Sequence, residues 1–106
     1  MAPTVSETLT MKLHPLVARN REAILRTAAH HGARNVRLFG SFARGDARPD
    51  SDVDVLIDAG AESTAWFPGG LVADLEELLA RRVDVVEACA LRTELRERVL
   101  AEAVPL

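Results

Sequence analysis

The run Asp52-Val53-Asp54-Val55-Leu56-Ile57-Asp58 most narrows what this chain can become. Alternation of polar and apolar residues over such a stretch is the period of a β-strand. It turns Val53 and Val55 to one face and the carboxylates of Asp52 and Asp54 to the other. Two such acids read most simply as a solvated strand face. The other reading is a pair of carboxylates held side by side for chemistry, and the rest of the chain has to decide.

The strand has company. "NVRLFG", ending at Gly40, reads as a second strand, and "VDVVEA", beginning at Val83, as a third. Between and around them the period changes to helical. Leu13, Val17, Ile24 and Ala28 recur at helix spacing up to about His31, with Pro15 suited to a first turn and Gly32 to a C-terminal cap. Leu71, Val72, Leu75, Leu78 and Leu79 mark a second helix reaching Arg81 or Arg82, and Leu91, Leu95, Val99 and Leu100 mark a final amphipathic one. "AGAESTAWFPGG", residues 59–70, has no period and reads as a loop. The expected order is helix, strand, strand, helix, strand, helix. That is an α/β (α+β) fold, a small mixed sheet of about three strands flanked by helices. Residues 1–12 read as a loose arm and 13–106 as one domain.

Composition removes several function classes. A net charge of −3 and a pI near 5.6 argue against a general nucleic-acid binder, which needs an excess of Lys and Arg. The single Cys89 has no partner for an internal disulfide, and its neighbours Ala88, Ala90 and Leu91 suggest a buried structural thiol. No run approaches the roughly 18 apolar residues of a membrane span. The first residues show no basic segment followed by an apolar one, so the expected location is the cytoplasm.

Three features converge on one end of the expected sheet. Gly40-Ser41 leaves the first strand, where a glycine permits close backbone approach and a helix starting at Ser41 would aim amide donors at a phosphate. The same dipeptide is also an everyday turn. Asp52 and Asp54 follow after ten residues. Carboxylates two apart on a strand stand roughly 7 Å apart, a spacing that suits magnesium, which takes one or two protein carboxylates plus phosphate oxygens. Asp84 lies between Val83 and Val85, so its side chain points away from the core. Were its strand beside that of Asp54, three carboxylates would crowd one patch. Like charges about 4 Å apart repel by roughly 4 kcal/mol at an effective dielectric of 20, which protonation or a divalent cation relieves.

Taken together, "GSFARGDARPDSDVDVLID" resembles the signature of the polymerase-beta-like nucleotidyltransferase superfamily, and its minimal nucleotidyltransferase (MNT) branch in particular. Every motif residue is present, and the resemblance covers residues 36 to 88. It implies the nucleotidyltransferase fold, with Gly40 and Ser41 holding a triphosphate. It also implies that Asp52 and Asp54 ligate two magnesium ions, and that Asp84 helps hold one of them and assists deprotonation of the attacking hydroxyl. Arg44 is open between a phosphate contact and a structural pair with Asp46 or Asp50, while Arg48 is expected to be structural. His14, His30 and His31 lie on the first helix, outside the motif, as solvated or capping residues. Trp66 and Phe67 either stack on an adenine or cap the core.

Minimal members of that branch commonly act as antitoxins beside a helical HEPN-type ribonuclease toxin, transferring AMP from ATP to a toxin tyrosine. The resemblance therefore implies ATP as substrate and a HEPN-type toxin as partner, while the composition argues against a membrane or a direct nucleic-acid partner. Only about 18 residues follow the third strand, so another surface is expected to hold the acceptor. The chain has no tyrosine, so a tyrosine target lies on another chain. Two alternatives remain at this level: an antitoxin that only binds, and a nucleotidyltransferase acting on RNA or a small molecule.

Overall fold

In the computed structural model, which describes residues 13–60 and 67–106, the first helix begins on a histidine. Nδ1 of His14 accepts the Leu16 N–H at 3.1 Å, and Pro15 fills the first helical position, where no N–H is needed. Helix α1, Pro15–His30, buries Val17, Ile24 and Ala28, the stripe that the sequence spacing predicts. Gly32 ends it at φ 79°, a left-handed conformation free of steric cost only for glycine. The expected arm, residues 1–12, and Trp66 lie outside the described residues.

Four strands follow, with helices between them: β1 (Ala33–Phe39), α2 (Ser41–Arg44), β2 (Val53–Ala59), α3 (Gly69–Leu79), β3 (Val83–Glu87), a 3₁₀ turn (Ala88–Ala90), α4 (Thr93–Glu102) and β4 (Val104–Pro105). The sheet order is β3-β2-β1-β4. β1 is antiparallel to both β2 and β4, and β2 is parallel to β3, a pairing that requires a crossover and receives α3. Val36 and Leu38 of β1 and Val53, Val55 and Ile57 of β2 turn to the face that α1 and α3 cover. Fully burying side chains of this size contributes about 1.5–3 kcal/mol each, so this layer supplies most of the driving force.

A bulge brings β1 into phase. The register runs Arg34↔Asp58 and then Arg37↔Leu56, one extra residue on β1. Ala33 and Val36 are both buried although an odd number of positions separates them, which an unbroken alternation forbids. Asn35 absorbs the insertion at φ 51°, and its Nδ2 donates to Asp58 Oδ2 at 2.7 Å. Arg37 reaches the other oxygen of Asp58 at 3.0 Å. Beyond the bulge, Phe39 faces Asp54.

Three expectations need correction. The sheet has four strands rather than three, because Val104 and Pro105 pair with Leu38 and Arg37. Two residues are too few to show a period, and proline suits only such an edge. The final helix buries none of its residues, and Leu95 and Leu100 are 46% and 41% exposed. Cys89 is exposed as well, since the 3₁₀ turn carries it past the end of β3. Substitution should separate the two apolar sets. Ile57→Ala is expected to lose about 2–5 kcal/mol of stability and Leu95→Ala no more than about 0.5 kcal/mol, as read from urea unfolding.

Candidate active site

Gly40 sits where β1 ends, with φ 72° and ψ −152°, a backbone conformation open only to glycine. There is a second reason for glycine here. A Cβ at residue 40 would collide with Oδ2 of Asp54 and lie 3.1 Å from its Cγ. The space of the missing side chain is filled by the carboxylate itself. Asp54 is therefore locked against the turn from which α2 departs, and the first amides of α2, at Ser41 and Phe42, have no intrahelical acceptor.

Parallel pairing does the rest. Asp54 and Asp84 are register partners on β2 and β3, and adjacent strands lie about 4.8 Å apart. The two carboxylates stand side by side on the face opposite the core. Asp52 falls one residue before β2 rather than within it, at the lip of the strand, where its Oδ1 accepts Arg82 Nε at 3.2 Å. The expected trio is thus gathered at one end of the sheet. Among the described residues no three acidic, histidine or cysteine side chains form a preformed ion cage. The donors are nevertheless all hard oxygens, the set that binds magnesium when substrate phosphates complete the coordination.

Environment separates Asp54 from its neighbour on the same face. Asp54 is half-buried, and burial pushes its pKa up, with the charges of Asp84 and then Asp52 adding to the rise; Arg44 opposes it. Asp58, four residues on, moves the other way, lowered first by the Asn35 hydrogen bond and further by Arg37. The fold favours the charged form of one acid and disfavours that of the other.

Arg44 is structurally engaged. Its Nε donates to Asp46 Oδ2 at 3.2 Å and its Nη1 to Glu102 Oε1 at 2.9 Å. Asp46 was one of the two partners open from sequence, whereas Glu102 arrives from α4 without any sequence signal. Arg81 is the second residue that sequence reasoning missed. Its Nη1 lies 3.1, 2.9 and 3.2 Å from the carbonyl oxygens of Arg48, Pro49 and Ser51, and its guanidinium lies 5.3 Å from the Phe42 ring centroid. It pins the loop that delivers Asp52. Arg48 contributes its backbone, and its side chain is exposed. His14 packs on Phe42 with ring centroids 4.7 Å apart, and His31 meets Asp74 at 2.6 Å, away from the carboxylates. Phe67 packs on the core.

Two outcomes test this geometry. Gly40→Ala should destabilise the protein, and a double-mutant cycle with Asp54→Ala should recover at least about 0.5 kcal/mol of that loss, because the collision needs both partners. For Asp54 itself, a pKa raised by folding means that the folded state holds the proton more tightly than the unfolded chain. Its contribution is present below the ordinary value of 3.8 and is lost as pH climbs through the raised folded value. In denaturant titrations across that window, Asp54→Asn should gain on the parent as pH rises.

Residues 21–106 match the Nucleotidyltransferase domain family. The chain is 40% identical over 73 residues to the protein adenylyltransferase MntA of Thermococcus cleftensis, covering 69% of this chain and 74% of that protein. It is 35% identical over 74 residues to a Methanocaldococcus jannaschii protein provisionally named a protein adenylyltransferase, covering 70% and 80%. A solved structure provisionally assigned as a minimal nucleotidyltransferase shares 43% identity and a TM-score of 0.77 over the whole of both chains. A toxin–antitoxin crystal structure with AMP-PNP, 23% identical, has the same fold with a TM-score of 0.70 over 81% of this chain and 71% of the other. The signature from Gly40 to Asp54, the register that sets Asp54 beside Asp84, and these matches lead to one statement: the chain belongs to the nucleotidyltransferase family, in its minimal form, and is an enzyme of that class.

Proposed function

We propose that this protein transfers AMP from ATP to a hydroxyl of a partner protein, a tyrosine, and thereby acts as the antitoxin of a HEPN-type ribonuclease toxin. The observation that carries the chemistry is the Asp54–Asp84 register pair beside the Gly40 turn. The likeness to named protein adenylyltransferases supports a protein acceptor. The reading treats residues 13–106 as one minimal nucleotidyltransferase domain working in the cytoplasm; among the described residues no helix is long and apolar enough to cross a membrane.

In this reading Gly40 and Ser41 hold the triphosphate on the free amides of α2, and Arg44 touches a phosphate. Asp52, Asp54 and Asp84 would hold two magnesium ions, which supply charge neutralisation for the phosphates and for the departing pyrophosphate. The acceptor oxygen attacks the α-phosphorus. The bond from that phosphorus to the bridging oxygen breaks, AMP stays on the acceptor, and pyrophosphate leaves. Asp84, exposed on the site face, draws the proton from the acceptor hydroxyl. The absence of tyrosine from the chain means that a tyrosine acceptor belongs to another molecule.

Asp84→Asn tests the assignment. It keeps the shape and removes a negative charge that Asp54 feels, so the fold should survive. Transfer of labelled AMP to the partner should fall roughly 10²-fold or more, the scale of a positioned general base. Magnesium-dependent ATP binding, measured by calorimetry with and without chelator, should persist through Asp52 and Asp54. Neutralisation by parent and Asn variant alike only at or above equimolar antitoxin, with no labelled AMP transferred by either, would leave a binding-only antitoxin.

A further inference from the structure

One contact reaches the site from α4. Glu102 is the last residue of that helix, where the free carbonyls concentrate negative potential and a carboxylate is disfavoured. It nevertheless accepts Nη1 of Arg44, 58 residues away in sequence, at 2.9 Å. The helix buries none of its residues, so packing of α4 does not explain where Glu102 sits. The sheet does. Val104, two residues on, pairs with Leu38 in the middle of the molecule, and the Leu106 N–H donates to Val36 O at 2.9 Å. The Glu102 side chain is only 25% exposed.

Arg44 is then held from two sides. Asp46 takes Nε and Glu102 takes Nη1, and the third nitrogen, Nη2, lies outside both bonds. A guanidinium offers five N–H donors in a planar fork, so two fixed acceptors define the direction of the rest.

We propose that Glu102 is a positioning residue for the nucleotide: with Asp46 it clamps the Arg44 guanidinium and presents Nη2 to a phosphate of the bound nucleotide. This rests on the reading of Arg44 as a phosphate contact. It gives α4 a part in nucleotide binding that neither the helix nor its sequence announces.

The test uses the full chain, magnesium and a non-hydrolysable ATP analogue, with binding measured by calorimetry and folding by urea unfolding. Glu102→Gln keeps the length and removes the charge. It should weaken binding roughly 5-fold or more, the scale of one charge-assisted hydrogen bond, with an unchanged urea midpoint. Asp46→Asn, at the other jaw of the clamp, should act in the same direction. In an Arg44→Ala background, Glu102→Gln should have no further effect, which a merely structural role would not produce. Parent-like or tighter binding by Glu102→Gln, while Arg44→Ala binds weakly, overturns the clamp and leaves the Arg44 reading standing. Parent-like binding by Arg44→Ala overturns both.

Discussion

Everything at the site end of this molecule depends on one steric fact. The carboxylate of Asp54 occupies the volume in which residue 40 would place a side chain. The contact ties the end of β1, the start of α2 and the middle of the sheet to a single point. It requires glycine twice over, for the positive φ and for the missing Cβ. It also holds Asp54 half out of water, so its charge is costly before any neighbour is counted. Parallel pairing then brings Asp84 alongside. A fold governed only by stability would put a small neutral residue at position 54; this one keeps an acid there and adds a second beside it.

The bulge in β1 shows how the rest of the sheet serves that arrangement. With the extra residue at Asn35, β1 buries Ala33 at one end and Val36 and Leu38 at the other, and it brings Phe39 opposite Asp54. Without it, the end of β1 that leads into Gly40 would be out of phase with the core. The insertion is held by Asp58, on the same strand and face as Asp54, through Asn35 and Arg37. The two acids are alike in sequence context and opposite in circumstance. Asp58 is spent on structure by its donors, whereas Asp54 is surrounded by further carboxylates.

That contrast marks the limit of what could be read from the sequence. Alternation in "DVDVLID" and "VDVVEA" placed the acids on one face because period is a local property, and Gly40-Ser41 could be recognised by its spacing from Asp52. The helix stripe of Val17, Ile24 and Ala28 was legible for the same reason. Contacts between distant segments were not. Nothing about a glutamate in "RVLAEAV" indicates that it meets Arg44, and Arg81 looks like any basic residue at a helix end until it is seen capping three carbonyls of the Asp52 loop. Periodicity also misled where an element had no layer to cover it. The apolar residues of α4 recur at helical spacing, yet Leu95 and Leu100 face outward, because the pattern reports the shape of a helix and not the presence of a surface against it.

Charge counting around Asp54 gives the proposed function its physical order. Burial and then Asp84, Asp52 and Glu102 raise the pKa of Asp54 and Arg44 alone lowers it, while Arg82 bonds Asp52 and Arg81 is fixed on the loop that carries it. Arg44 is already shared between two carboxylates, and Arg82, bonded to Asp52, has a side chain 82% exposed and screened by water. In the proposed reading, a bare triphosphate meets the uncompensated carboxylates of Asp54 and Asp84 at this end of the sheet. A triphosphate that brings divalent cations would present the opposite field, and the same carboxylates would then accept its metal. In that reading, the acidic balance at this end of the sheet favours a nucleotide that arrives as its metal complex over the uncomplexed anion.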